Sequence, residues 1–354
     1  MGKKSSVSRA ASAPSEERAV SPDADANEER FDRIFRPETL DDFIGQNKHK
    51  ENLRVYVRAA RNRGEPLDHI LLAGPPGLGK TTLANILARE MGAKITVTSG
   101  PAIEHKGVLM GILTRLERGD VLFIDEIHRL TPAVEEYLYP AIEDFRIDVP
   151  TGEGAFSESI TIDVRPFTLI GATTRTGLLT KPLQERFGVT LRLDFYTTEE
   201  LELIIRRSAR LLGMECDDEG ARLLATRARG TPRVANRLVR RVRDFADVEG
   251  LRKMDARIVT LTCERLGVDA AGLDEMDRRL LGVLIEHYDG GPVGIETLAA
   301  ALAEPRDTLE DVYEPYLLQQ GLLARTPRGR VATRRAYEHL GIPYAGASPQ
   351  GSLF

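Results

Sequence analysis

GPPGLGKT, from Gly74 to Thr81, brings three glycines, a lysine and a hydroxyl into one short stretch. Glycines let successive backbone N–H groups turn inward and cradle phosphate oxygens. Lys80 is placed to reach β- and γ-phosphates, and the Thr81 hydroxyl to ligate Mg²⁺. Further along, Asp125 and Glu126 add two carboxylates, the first suited to hold magnesium through water, the second to orient or deprotonate an attacking water. GATTR (171–175) offers Thr173 or Thr174 as a hydroxyl beside the γ-phosphate. Such a set could hydrolyse a nucleoside triphosphate. GLLTKPLQERFG (177–188) then carries a lone arginine, Arg186. It could touch its own phosphate, a neighbouring chain's phosphate, or only a carboxylate such as Glu185 or Asp194, the last contributing little. His128, beside the carboxylates, receives no role.

These groups need elements to hold them. The apolar run HILLA (69–73) precedes the glycine loop, and TLANILAREMG follows with helical spacing and Gly92 as its C-cap. DVLFIDE is an unbroken apolar run that ends in its carboxylates, as a buried parallel strand does. KITVTS (94–99), FTLIGATTR (167–175) and VTLRLDF (189–195) read as further strands. Strands alternating with helices predict a parallel sheet covered on both faces. Between the strands ending in DE and in GATTR, residues 145–167 form an insertion of two alternating segments about a glycine-containing loop, a hairpin signal. Such a hairpin is either a handle for a partner or merely solvated.

Residues 197–267 read as helical throughout, with a Thr N-cap ahead of TEELE and Pro232 in the first turn of another helix. Arg237, Arg240, Arg241 and Arg243 alternate with Val and Leu there, which favours a solvated face or subunit contact over a nucleic-acid stripe. After a linker near 268–274 come three helices and then strand, turn, strand: a winged-helix order. Residues 322–335 hold five arginines and no acid, in a chain whose formal net charge is −5. That local reversal is the footprint of a DNA-binding face.

The chain is 354 residues long, enough for two or three domains, with 42% hydrophobic and 29% charged residues, ordinary for a globular protein. No apolar run is long enough to span a membrane. The opening thirty residues lack the apolar core of a secretory signal and read as a disordered tail. Cys216 and Cys263 lack metal or redox spacing and read as idle thiols in a reducing cytosol. Three function classes fit: a DNA translocase, a clamp-loader-like or protein-remodelling ATPase, and a small-molecule kinase or switch. Glu126 and Arg186 disfavour the third; the basic wing separates the first from the second.

RPETLDDFIGQ, GPPGLGKTT, LFIDEIHRL, GATTRTG, LQERFG, RGTPRVANRLVRRVRDFA and LLARTPRGR occur in one order from about residue 31 to 342. In that combination the chain resembles the RuvB family of AAA+ ATPases. The resemblance implies an α/β P-loop ATPase domain with a parallel sheet (31–196), a small helical lid domain (197–267) and a winged-helix DNA-binding head (270–342), and it leaves the disordered tail (1–30) and a C-terminal tail (343–354) outside. It assigns Gly77, Gly79, Lys80, Thr81 and Thr82 to ATP phosphates and Mg²⁺, with Asp125 as the other metal ligand. Phe35, Arg36 and Tyr196 fall at the base side, Glu143, Asp144 and Phe145 contact nucleotide through backbone, and Arg233 is the second sensor. Arg186 becomes an arginine finger reaching the next subunit, alongside Glu126, Asp125, Thr173 and Thr174. Arg306, Arg325 and Arg330 become DNA contacts. The implied activity is ATP-driven branch migration of Holliday junctions in the cytoplasm, by a hexameric ring on duplex DNA. The implied partners are a RuvA-type junction-binding protein docked on the 145–167 hairpin and a RuvC-type resolvase.

Overall fold

The computed structural model describes residues 34–151 and 158–344. The expected tail at 1–30, the tip of the 145–167 insertion and nearly all of 343–354 lie outside those residues. Helix α1 (Asn47–Arg63) leads into β1 (Ile70–Ala73), the glycine loop and α2 (Lys80–Met91). Gly92 caps α2 with φ 66, the left-handed value that favours glycine. β2 (Ile95–Ser99), α3 (Lys106–Leu113), β3 (Val121–Asp125) and α4 (Pro132–Glu143) follow. β4 (Arg146–Thr151) and β5 (Glu158–Asp163) pair antiparallel, the predicted hairpin. β6 (Thr168–Thr173), α5 (Lys181–Glu185) and β7 (Val189–Arg192) complete the domain.

The five expected strands form one parallel sheet in the order β2-β3-β6-β1-β7. β1 and β6 are buried along their whole length, which is why both read as apolar runs without alternation. Strand order places the loop after β1 beside β6, which ends in the threonines, with β3 and its DE pair one strand further along the same edge. A site at the carboxyl edge of such a sheet is the geometry of doubly wound folds.

α6 (Thr198–Leu211) opens with a full capping box, in which Thr197 and Glu200 exchange side-chain and backbone hydrogen bonds. α7 (Asp218–Arg227), α8 (Pro232–Val248) and α9 (Ala256–Arg265) follow. The expectation of helix throughout is corrected by a two-residue parallel ladder, β8 (Glu215–Cys216) with β9 (Lys253–Met254), too short to leave a periodic signal. One hydrophobic cluster runs from Leu40 through the α2 face of the sheet to Val268, so lid and ATPase domain share a core. A second cluster lies on the sheet's other face.

The head has its own cluster, from Leu273 to Ala336. It contains α10 (Glu275–Glu286), α11 (Ile295–Leu302), α12 (Arg306–Thr308), α13 (Glu314–Gln319), the antiparallel wing β10 (Leu323–Thr326) and β11 (Gly329–Ala332), and α14 (Arg334–Leu340). The third helix expected from the pattern is interrupted: Leu309–Tyr313 forms a π turn between α12 and α13. Pro315 cannot donate to the carbonyl four residues back and its ring crowds that carbonyl, which accounts for a register change just ahead of it.

Candidate nucleotide site

A cleft of about 490 Å³ opens where the glycine loop, the sheet edge and the lid meet. That volume is within the range of small-molecule sites. Gly77 and Gly79 take φ 81 and 93, so the loop turns its amides inward at positions where a side chain would be strained. Gly77, Gly79, Lys80, Thr81 and Thr82 line the floor of the cleft, as expected. Phe35, Arg36 and Tyr196 line it from the N-terminal segment and the lid boundary, and Arg233 from the start of α8.

Lys80 is buried, and its Nζ donates to the carbonyls of Gly74 at 2.7 Å and Pro75 at 2.8 Å. Burial pushes its pKa down to about 8, with Asp125 pulling it back up and Arg233 pushing it further down. A buried ammonium satisfied only by carbonyls suits an arriving anion, which would restore its full charge. Asp125 and Glu126 reach the cleft from the end of β3, beside Thr81. Glu126 adopts φ 47, left-handed backbone that a non-glycine residue holds only under constraint. Gly100 permits this crowding: a Cβ there would lie 2.4 Å from the Glu126 carbonyl oxygen. Among the described residues no group of three or more His, Cys, Asp or Glu forms a metal cage. A cation here would therefore take most of its ligands from phosphate and water, as Mg²⁺ does, with the Thr81 hydroxyl and Asp125 the hard oxygens available.

The two threonines separate. Thr174 lines the cleft, whereas Thr173 is fully buried at the end of β6. Thr173 Oγ1 accepts from the Arg175 amide at 3.0 Å and lies 3.0 Å from His128 Nδ1. Burial lowers the His128 pKa, keeping the ring neutral for that contact. Reasoning from sequence missed Arg207 and Asn236, which line the cleft from α6 and α8. Arg207 Nη1 also donates to the Phe35 carbonyl at 2.6 Å, holding the N-terminal segment against the lid. Arg207 sits in no recognisable motif, and Asn236, although inside RGTPRVANRLVRRVRDFA, is brought to the nucleotide side only by folding.

Arg186 does not line this cleft, and neither do Glu143, Asp144 and Phe145. Glu143, Asp144 and Phe145 therefore do not border nucleotide held in this chain's own cleft, and Arg186 is expected at a neighbour's. Arg186 follows α5 and lies three residues ahead of Val189, which pairs with Ile70 at the start of β1. His69, just before β1, donates from Nε2 to the Ile142 carbonyl and accepts at Nδ1 from the Leu169 amide. Glu143 and Arg186 therefore flank the amino end of β1, while the glycine loop leaves its carboxyl end, on the order of 13 Å away for a four-residue strand. Arg186 Nη2 donates to Glu143 at 3.1 Å, and the guanidinium stacks 4.3 Å above the Tyr139 ring. Its carboxylate partner is Glu143, neither Glu185 nor Asp194.

Of the arginines expected at DNA, Arg306 and Arg325 keep about half their side chains exposed. Arg306 pairs with Glu296 and Glu310, and Arg325 with Glu314. Arg330 is buried, its Nε 2.6 Å from Glu314 and Nη2 2.9 Å from Glu310. The acid-free stretch 322–335 receives its acids from the helix packed on the wing. Arg328 at the wing turn is exposed and, among the described residues, in no ion pair. In the lid, Arg237 and Arg240 are buried, which removes both a nucleic-acid stripe and a solvated face at those positions. Burial raises the thiols of Cys216 and Cys263 to about 11, so both are unreactive near neutrality.

Comparison with known proteins agrees with this architecture. The profile described as "Holliday junction DNA helicase RuvB P-loop domain" matches residues 35–193. The "RuvB AAA lid domain" matches 196–269, and the "RuvB C-terminal winged helix domain" matches 270–341. A protein of Rubrobacter xylanophilus named Holliday junction branch migration complex subunit RuvB is 59% identical over 94% of this chain and 93% of its own length. A Kosmotoga olearia protein of the same name is 58% identical over 92% of this chain and 95% of its own. The solved structure of the Thermotoga maritima RuvB Holliday junction branch migration motor is 55% identical and superposes with TM-score 0.82, covering 88% of this chain and 99% of that one. Among the described residues no helix is long and apolar enough to cross a membrane.

Proposed function

The chain belongs to the RuvB family, and from that premise we propose how its residues divide the work of an ATP-driven motor that migrates Holliday junctions. The division follows three parts: an ATPase domain to about residue 196, a lid to about 267 and a DNA-binding head from about 270. Lys80 and the loop amides bind the β- and γ-phosphates, with Thr82 beside them. Thr81 and Asp125 hold Mg²⁺, which when bound neutralises charge across those phosphates. Glu126 orients the attacking water and accepts its proton; Thr174 faces the γ-phosphate. Phe35, Arg36 and Tyr196 enclose the base, and Arg233 reports nucleotide to the lid.

Arg186 acts in trans, with Glu143, Asp144 and Phe145 meeting the same neighbouring nucleotide. The observation that carries this is the separation of Arg186 from its own cleft by the length of β1. An arginine that serves hydrolysis from there needs a second subunit, which makes a closed ring the working species, a hexamer encircling duplex DNA in the cytoplasm. Arg306 and Arg325 contact phosphates of DNA, the 145–167 hairpin docks a RuvA-type protein, and a RuvC-type resolvase acts on the same junction.

Mixing two inactive variants tests the trans assignment. Arg186→Ala should bind ATP yet lose about 10³- to 10⁵-fold in hydrolysis. Lys80→Ala should fail to bind nucleotide. Mixed rings contain interfaces that join an intact cleft to an intact Arg186, so activity should return. Rings shown to be mixed yet still inactive would rule the assignment out.

A further inference from the structure

Arg175 is the residue after the cleft-lining Thr174, and its guanidinium leaves the ATPase domain altogether. Its Nε and Nη2 each donate to Asp311 at 2.7 Å, a two-point grip on a carboxylate 136 residues away. Nη2 also donates to Asp307 at 3.3 Å and lies 3.8 Å from Glu310 Oε2. Asp311 and Glu310 are neighbours in the π turn of the head. The other contacts of Glu310 lie within the head: Oε2 accepts from Arg306 at 3.2 Å, and Oε1 from Arg330 at 2.9 Å. One short turn thus grips the ATPase domain with one carboxylate and two arginines of the head, one of them the exposed Arg306, with the other.

A second contact runs parallel to the first. Pro75 and Pro76 of the glycine loop border a small crevice whose far wall is Asp311, Val312, Pro315 and Tyr316 of the head. The backbone beside Arg175 is tied inward as well, through its amide to Thr173 and from Thr173 to His128, two residues past Glu126. A π turn is a strained register, frequently found where a helix serves function. Its alternative is the ordinary α register, and a change between them would swing Glu310 and Asp311 relative to each other. Bidentate arginine–carboxylate pairs are directional, so such a swing cannot leave the Arg175 grip unaltered.

We propose that Arg175 and the π turn Leu309–Tyr313 couple the ATP cleft to the DNA-binding head, so that phosphate arriving at Arg306 releases Glu310, resets the Asp311–Arg175 grip and alters hydrolysis at Glu126 and Thr174. This rests on the reading of the cleft as the ATPase site and of the head as the DNA-contacting part. Arg175 is a positioning residue: it does not line the cleft, and Asp311 holds its guanidinium. The coupling acts on the hydrolysis rate, which carries no obligatory reciprocal effect on DNA affinity.

The test uses the full-length ring, with hydrolysis measured at saturating ATP with and without duplex DNA, and DNA affinity measured alongside. In the parent, duplex DNA should stimulate hydrolysis. Asp311→Asn should keep the DNA-free rate and the DNA affinity within about twofold, yet lower the stimulation about fivefold or more, the usual floor for a coupling between sites. Arg175→Asp should do the same, and the charge-swapped pair Arg175→Asp with Asp311→Arg should recover part of the stimulation, a rescue that mere loosening of the fold cannot produce. A parent whose hydrolysis ignores DNA would overturn the underlying reading and the coupling together. A responsive parent with an equally responsive Asp311→Asn ring would overturn the coupling alone, as would a swapped pair no better than either single change.

Discussion

Thr173 and Thr174 are chemically identical and adjacent, yet a one-residue step along a strand turns them to opposite faces. Thr174 reaches the cleft, and Thr173 spends its hydroxyl on His128 and the Arg175 amide. Their valine variants should therefore fail differently. Thr174→Val should bind ATP with near-parental affinity and hydrolyse it at least about tenfold more slowly, the scale of one lost transition-state hydrogen bond. Thr173→Val buries no new charge but orphans its partners, so its first effect should be on stability, by about 1–3 kcal/mol. Nucleotide affinity, single-turnover hydrolysis and denaturant midpoints on both variants decide the matter. Equal kinetic defects with unchanged midpoints would refute the distinction.

At the scale of elements, the wing shows how a basic segment is neutralised by its neighbour. β10 and β11 carry Arg325 and Arg330, but α13 sets the buried Glu314 against both. The exposed arginines on this side of the head are Arg325, half exposed, Arg328 at the turn, and Arg306 ahead of the π turn; Arg306 and Arg325 are those proposed for DNA. Each phosphate neutralised contributes about −0.9 to the slope of log K against log[salt], so replacing Arg325 and Arg328 with Ala should flatten that slope by up to about 1.8 per bound head. No amide or aromatic side chain is interleaved to read base edges, so the loss should fall equally on every sequence. Arg330→Ala should leave the slope nearly unchanged and lower stability instead, because Glu314 loses a buried counter-ion. DNA titrations from low to moderate salt check both parts; a slope that tracks Arg330 would reverse the assignment.

For the whole molecule, the junction of lid and head includes a fully buried ion pair. Arg229 Nη1 donates to Asp277 at 2.7 Å, with 3% and 0% of the side chains exposed, and the same guanidinium stacks 4.4 Å above Tyr316. Asp277 also closes the capping box of α10. Asp277→Ala leaves a charge buried without its partner, a loss of about 3–5 kcal/mol. The denaturation midpoint should fall, and the 267–274 segment should become the first point of protease attack. An unchanged midpoint with no new cleavage would show that the domains are held by apolar packing alone. The consequence reaches function, since the π turn meets Arg175 only while the head stays docked.

Much of this molecule was legible in the order of its residues. The glycine loop, the helix closed by Gly92, the apolar strands and the Thr197 cap all follow from interactions between residues a few positions apart, and periodicity records such interactions directly. Five parallel strands and the winged-helix order followed for the same reason. Spacing carried no trace of contacts between distant positions. Arg186 beside Glu143, Arg175 on Asp311 and Arg330 between Glu310 and Glu314 are ion pairs whose members lie 16 to 136 residues apart. Which arginine stays free for a phosphate, which threonine faces the cleft and where a helix shifts register depend on the packing of whole elements. A charge buried against its counter-ions is not available to a ligand, and the fold alone determines its neighbours.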